Sequence, residues 1–164
     1  MPKTFDDAES VESIAGGLIP NYHPELATAR IRYVFVSEAS KKNGKEVWGK
    51  VQKLSGFTEW ALEKDFVVTV ALDKWNELTD SQRTALTDHL LERCTGEEDE
   101  ESGDMKWKVR DPDVQEFPNI LHRHGAWNED LQSFVSMAQK IDLDSLIEEE
   151  SEEEEEEVTQ KTKG

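Results

Sequence analysis

One seven-residue segment constrains the fold more than any other part of this 164-residue chain. Residues 66–72 read Phe-Val-Val-Thr-Val-Ala-Leu and are apolar at nearly every position. Successive side chains of a strand point to opposite faces of a sheet, and a strand that is apolar on both faces is typical of a sheet interior. The segment therefore predicts a central strand.

Shorter patterns predict the other strands. Residues 31–36 are rich in β-branched and aromatic side chains. In residues 47–54, Val47, Gly49 and Val51 alternate with Trp48, Lys50 and Gln52. Asn43-Gly44 between them is a strong turn signal, so residues 47–54 are interpreted as the returning strand. Residues 105–110 alternate in the same way and predict an edge strand.

Apolar residues at helical spacing predict helices before, between and after these strands. The first covers residues 7–18 and is expected to end near Gly16-Gly17 and Pro20. A longer helix begins after Thr79, and its predicted inner face is Ala85, Leu86, His89 and Leu90, extended to Arg93. Two more helices follow over residues 113–123 and 128–141. This order favours an α+β fold, with a three- to four-stranded, mostly antiparallel sheet packed against helices.

The charge of the chain argues against one class of partner. Asp and Glu number 37 against 19 Lys and Arg, which gives a net charge of −18. Non-specific coating of DNA depends on Lys and Arg, so we expect no direct binding of nucleic acid. No apolar run approaches the roughly 18–20 residues of a membrane span, and the first residues do not resemble a signal peptide. The single cysteine, Cys94, is interpreted as structural, and a cytoplasmic location is expected.

The charge is unevenly distributed. Residues 142–164 hold 11 acids and 2 bases, including six consecutive glutamates, and predict a disordered acidic tail after a domain of residues 1–141. Residues 30–53 are basic. Within them, Lys41 to Lys53 would either contact phosphates or form a solvated hairpin, and Trp48 and Trp60 beside this stretch are a candidate partner surface. A second acidic cluster contains Glu97, Glu98, Asp99, Glu100, Glu101 and Asp104.

Several separated blocks of sequence together resemble one protein family. The blocks are Ala29–Phe35, Gly49–Val51, Asp65–Val68, Ala71–Trp75, Leu78–Leu86, Val114–Pro118 and Arg123–Trp127. In this order they resemble the phage metallopeptidase family, a zincin-like group, over roughly residues 10–138. The resemblance implies a zincin-like fold and a phage origin, with the host cell cytoplasm as the place of action.

The resemblance also implies a metal motif that this chain has changed. In the family a long helix carries His-Glu-x-x-His, whose two histidines bind Zn²⁺ from one helix face while the Glu acts as general base. The matching stretch here retains His89, but Leu90 stands in place of the base and Arg93 in place of the second histidine. Since the guanidinium remains cationic, Arg93 would repel a metal ion.

Two interpretations of this stretch remain open. In one, His89 binds zinc with Glu116 and one of His122 or His124, and His124 is the preferred third ligand. In the other, no cofactor is bound, His89 packs in the core, and Arg93 pairs with Glu116. The second interpretation predicts no peptidase activity, because loss of a general base removes about 10²–10⁴-fold in rate.

These observations favour a phage-encoded binding protein without catalytic residues. Its acidic residues would engage a host protein that binds nucleic acid, as a DNA mimic or inhibitor, because the groove of such a protein is basic. The cluster from Glu97 to Asp104 is the predicted partner-binding surface. The alternative is a metal-dependent hydrolase or peptidase with an altered set of ligands.

Overall fold

The structure of this chain is a computed structural model, and it describes residues 2–141. Helices and strands are mixed along the chain, which confirms the α+β class. The strands are β1 (Phe5–Asp7), β2 (Ile31–Val36), β3 (Ser40–Lys42), β4 (Lys45–Val47), β5 (Gly49–Lys53), β6 (Phe66–Ala71), β7 (Cys94–Glu98) and β8 (Met105–Val109). The helices are α1 (Glu9–Tyr22), α2 (Gly56–Leu62), α3 (Leu72–Glu77), α4 (Asp80–Glu92), α5 (Pro118–His124) and α6 (Glu129–Lys140), with a 3-10 turn at Pro24–Leu26.

The chain divides into two compact units. The first, Met1–Asp111, contains all eight strands and α1 to α4, and the second begins at Pro112 and contains α5 and α6. The predicted acidic tail, residues 142–164, lies outside the described residues. Among residues 2–141, no helix is both long enough and apolar enough to cross a membrane.

A four-stranded sheet in the order β1-β2-β6-β5 forms the centre of the first unit. The β1–β2 and β5–β6 pairs are antiparallel, whereas β2 and β6 run parallel from Ile31↔Phe66 to Val36↔Ala71. The sheet is thus mostly antiparallel, as predicted. The strand that is apolar on both faces, β6, lies between β2 and β5, which confirms its central position.

The predicted hairpin is built differently from our expectation. Asn43 and Gly44 do form a turn, with φ of 53° and 77°, but it joins the short strands β3 and β4. The returning strand β5 pairs with β6 instead of β2. The pattern of one strand cannot show which neighbour it pairs with, because alternation fixes the faces of a strand and leaves its partner open.

Helix α1 continues past the residues expected to end it. It runs through Gly16-Gly17 and Pro20 to Tyr22. Pro20 lies in the last turn, so its missing N–H removes only one bond of the helix. Val11, Ala15 and Leu18 share a buried face that packs against the sheet, and this packing outweighs the weak local propensity.

One hydrophobic cluster between the sheet and the helices holds the first unit together. Two edge-on or tilted aromatic contacts lie in it, Phe35 with Trp75 and Phe66 with Trp107, each with ring centroids 5.8 Å apart. Beside the cluster, the buried carboxylate of Asp65 receives hydrogen bonds from the backbone and guanidinium of Arg30. This bond raises the pKa of Arg30 and joins the beginnings of β2 and β6.

Substitution by alanine should have opposite effects on stability at Gly49 and Gly17. A Cβ at Gly49 would lie 2.8 Å from Leu90 Cδ1 and 3.3 Å from the carbonyl oxygen of Thr69, so Gly49→Ala should destabilise the fold by about 1–3 kcal/mol. Gly17, inside α1, has nothing within 4 Å, so Gly17→Ala should stabilise it by about 0.5–1 kcal/mol. Urea unfolding of both variants checks this, and a stabilising Gly49→Ala would contradict the packing of α4 on β5.

Candidate functional site

Helix α4 contains the stretch that resembles the family motif, and its start is set by a capping box. The Thr79 hydroxyl accepts from the backbone N–H of Gln82, whose side chain accepts from the N–H of Thr79 at 3.0 Å. This confirms the predicted start of the helix. Thr87, Leu90 and Leu91 form its buried face.

The buried face continues into Cys94 at the first residue of β7. The Cys94 side chain is 1% exposed, and its thiol donates to the carbonyl of Leu90 at 3.6 Å. Burial raises the pKa of this thiol to about 12. A thiol in that state is inert, which supports its interpretation as structural.

His89 lies on the other side of α4 from the core. Consecutive helical residues are about 100° apart, so His89 lies about 160° around the helix from Leu91. His89 and Ala85 are exposed, while Leu90, at the position of the family base, is 1% exposed. Our expectation that His89 and Ala85 face inward is therefore wrong, and so is the packing of His89 in the core. The predicted inner face of α4 is one position out of phase with its buried face.

Arg93, at the position of the second family histidine, has local partners. Its Nε donates to the carbonyl of Arg110 at 3.2 Å, and its Nη2 lies 3.4 Å from Asp111 Oδ1. These bonds join the end of α4 to the segment after β8. The predicted ion pair of Arg93 with Glu116 would join the two units and stays a prediction.

A buried histidine outside the motif makes the closest contacts of α4. His23 follows α1, is 1% exposed, and has Nε2 2.5 Å from Asp88 Oδ1. Its other ring nitrogen, Nδ1, lies 3.5 Å from Glu92 Oε2. Glu92 in turn accepts from the guanidinium of Arg110 and, through its carbonyl, from Arg110 Nε at 2.9 Å. We refer to His23, Asp88, Glu92 and Arg110 as the histidine clamp.

The histidine clamp joins the end of α1, helix α4 and the segment after β8. The two ring nitrogens of His23 face different carboxylates, so the three side chains do not converge on one point that an ion or substrate could occupy. It is absent from our sequence predictions. The i, i+4 spacing of Asp88 and Glu92 was the available signal, since it places two carboxylates on one helix face.

The other predicted metal ligands lie in the second unit. The Glu116 carboxylate accepts from the backbone N–H of Phe117 at 2.9 Å and from Trp127 Nε1 at 3.1 Å. His122 and His124 are exposed in the last turn of α5. Trp127 is itself 58% exposed.

The predicted metal set remains a prediction. Convergence of His89 with Glu116 and His124 would require residues of both units to meet at one site. Within residues 2–141, no group of three or more His, Cys, Asp or Glu side chains is placed to hold a metal ion.

The predicted partner surface lies on the turn between β7 and β8. We call residues 97–104 the acidic turn. At its centre, Asp99 accepts from the backbone N–H of Glu101 at 2.9 Å and from Lys106 Nζ at 3.1 Å, and these bonds lower the pKa of Asp99. Backbone bonds of 2.8 Å from Asp99 N to Asp104 O and from Gly103 N to Asp99 O close the turn.

The remaining acids of this turn face solvent. Five carboxylates are exposed, those of Glu97, Glu98, Glu100, Glu101 and Asp104. None of the five forms an ion pair within residues 2–141. Because Asp99 organises the backbone, the five charges are presented from a closed turn.

The comparisons with known proteins establish the family. The family model described as "Putative phage metallopeptidase" matches residues 3–139, and the chain belongs to this family. The resemblance inferred from separate sequence blocks is thereby confirmed, whereas the zincin-like fold stays a prediction. No curated protein and no solved structure matched the chain.

The two histidines beside α4 should respond differently to substitution. His23→Ala removes a buried side chain and leaves Asp88 and Glu92 without their shared partner, so it should destabilise the first unit by about 2–4 kcal/mol. His89→Ala removes an exposed side chain and should change stability by less than about 0.5 kcal/mol.

Chemical denaturation followed by circular dichroism measures both values. His89→Ala serves as the matched control, because His89 is a histidine of α4 itself. A large loss of stability for His89→Ala would show that His89 is packed, and would contradict the orientation of α4.

Proposed function

We propose that this member of the phage metallopeptidase family is a non-catalytic acidic binding protein. It would engage a host protein that handles nucleic acid, as an inhibitor that presents carboxylates in place of phosphates. The observation that carries the proposal is the acidic turn, with five exposed carboxylates around the hydrogen-bonded Asp99.

The replaced motif supports the non-catalytic part of the proposal. Leu90 has no group that could accept a proton, and it is buried in the core. Arg93 brings a permanent positive charge to the second ligand position and is bound to Asp111. Base and ligand have thus both been replaced by residues that serve packing and local ion pairing.

The geometry of the acidic turn supports the choice of partner. Carboxylates on a closed turn keep a more constant spacing than those on an unstructured chain, and a repeated negative charge is what a nucleic-acid groove accepts. Charge complementarity would speed association and make it strongly dependent on salt. The glutamates of residues 148–157 would add to the attraction.

A metal-dependent hydrolase with an altered ligand set is the alternative. Membership of a metallopeptidase family favours it, and so does the exposure of His89 and His124, which leaves both imidazoles open to ligation. This alternative requires His89, Glu116 and His124 to meet around a zinc ion.

Neutralising the acidic turn tests the proposal. The full chain, immobilised and exposed to lysate of a bacterial host, is expected to retain a nucleic-acid-binding protein that mass spectrometry identifies and duplex DNA displaces. The variant Glu98→Gln/Glu100→Gln/Glu101→Gln should lower the affinity for that purified protein at least about tenfold, because three steering charges are lost.

A control variant distinguishes the effect of the acidic turn on binding from the effect of net charge. Glu9→Gln/Glu12→Gln/Glu25→Gln removes the same number of exposed acids from α1 and the 3-10 turn, and it should bind nearly as well as the unchanged chain. Equal loss in both variants would show a response to net charge alone. Retention of the same proteins by all three chains, undisturbed by DNA, would refute the proposal.

A further inference from the structure

One face of the four-stranded sheet carries two exposed aromatic rings in a single row. Side chains of direct register partners lie on the same face of a sheet. Phe5 is the partner of Val36, which is in turn the partner of Ala71. The N–H of Ala71 donates to the carbonyl of Trp48 at 2.8 Å, which extends the pairing of β5 with β6 by one residue.

The rings stand at the two ends of this row. Phe5 is 66% exposed and Trp48 is 46% exposed. Three strand spacings separate their backbones, or about 14 Å. The neighbours Phe35 and Val70 belong to the opposite face, where both are buried in the core. The row therefore lies on the sheet face opposite the core cluster. It is exposed at its two ends only, because Ala71 is 1% exposed and Val36 is half-buried.

Lysines and one ion pair lie near the row. Asp7 shares the face of Phe5 and is paired with Arg32 at 3.1 Å. Lys50 is the register partner of Thr69 and shares the face of Trp48, while Lys3 donates to the hydroxyl of Ser40 at 2.6 Å. The β3–β4 hairpin connects the end of β2 to the start of β5, so it stands at the same end of the sheet as the row. We call Lys3, Phe5, Lys42, Lys45, Trp48 and Lys50 together the aromatic–lysine face.

Two of these lysines repel each other. Lys42 and Lys45 are direct register partners across the hairpin, and like charges in that position are destabilising. The nearby acid Glu46 is bound to Lys74 at 2.7 Å. No ion pair joins Lys42, Lys45 or Lys50 to an acid within residues 2–141. An anion bound here would relieve this repulsion.

We propose that the aromatic–lysine face binds single-stranded nucleic acid. The lysines would contact phosphates, and unpaired bases would stack on Phe5 and Trp48. The exposed rings decide between possible anions, because bases stack on aromatic side chains whereas the carboxylates of an acidic peptide do not.

The high negative charge of the whole chain does not prevent such binding. Exposed charges farther away than about 8 Å are largely screened at physiological ionic strength, so nearby lysines determine the local attraction. This surface is separate from the acidic turn and does not depend on the function proposed above. It would give the protein a second contact, with the nucleic acid itself.

Fluorescence anisotropy of labelled oligo(dT) and oligo(U) with the full chain tests the proposal. Trp48→Ala should weaken binding about 5- to 100-fold through loss of stacking. Lys42→Gln/Lys45→Gln should reduce the slope of log affinity against log salt by about 0.7 per lysine, because phosphate contacts release counterions. A preference for one oligonucleotide would identify DNA or RNA as the ligand, and either result supports the proposal.

Matched variants exclude non-specific effects. Tyr22→Ala removes a ring that is 67% exposed at the end of α1, and Lys64→Gln/Lys108→Gln removes two lysines elsewhere in the first unit; both should leave binding unchanged. The proposal is overturned if no oligonucleotide binds, if Trp48→Ala binds like the unchanged chain, or if duplex DNA or polyglutamate competes as well as oligo(dT).

Discussion

The contact of His23 with Asp88 and Glu92 determines how α4 faces the rest of the first unit. Because His23 is buried, its ring nitrogens must find polar partners, and two carboxylates on one side of α4 provide them. With these residues held against the end of α1, Leu90 and Leu91 face the core and His89 faces outward. The orientation of α4 thus follows from a polar constraint as much as from apolar packing.

The same orientation explains the changed motif. A position that faces the core favours an apolar side chain, and Leu90 fits there better than a glutamate, which would be costly to bury. Arg93 can use its length to reach Asp111 and the carbonyl of Arg110. Helix α4 connects α1, β7 and the segment after β8.

Charge is separated between two hairpins of the first unit. The β7–β8 hairpin ends in the acidic turn, whereas the β3–β4 hairpin carries paired lysines. The tips of both hairpins are exposed and lie outside the core, so their sequences are free to serve contacts with other molecules. This separation provides two surfaces of opposite charge on one unit.

Local sequence patterns predicted the elements well and their partners less well. The apolar run of β6, the Asn43-Gly44 turn and the cap at Thr79 each act within a few residues, and all were recognisable. The pairing of β5 with β6 depends on residues distant in sequence, which a single pattern does not report. At the site, the altered motif was visible, but the outward face of His89 was not, because His23 lies 65 residues from its partner Asp88.

The metal content of the purified full chain tests the central proposal, that α4 holds no catalytic metal. Elemental mass spectrometry after purification without chelators, beside the His89→Ala variant, gives the answer directly. The account predicts far less than one zinc per chain in both proteins. About one zinc per unchanged chain, lost in His89→Ala, would contradict it and establish the hydrolase alternative as the better explanation.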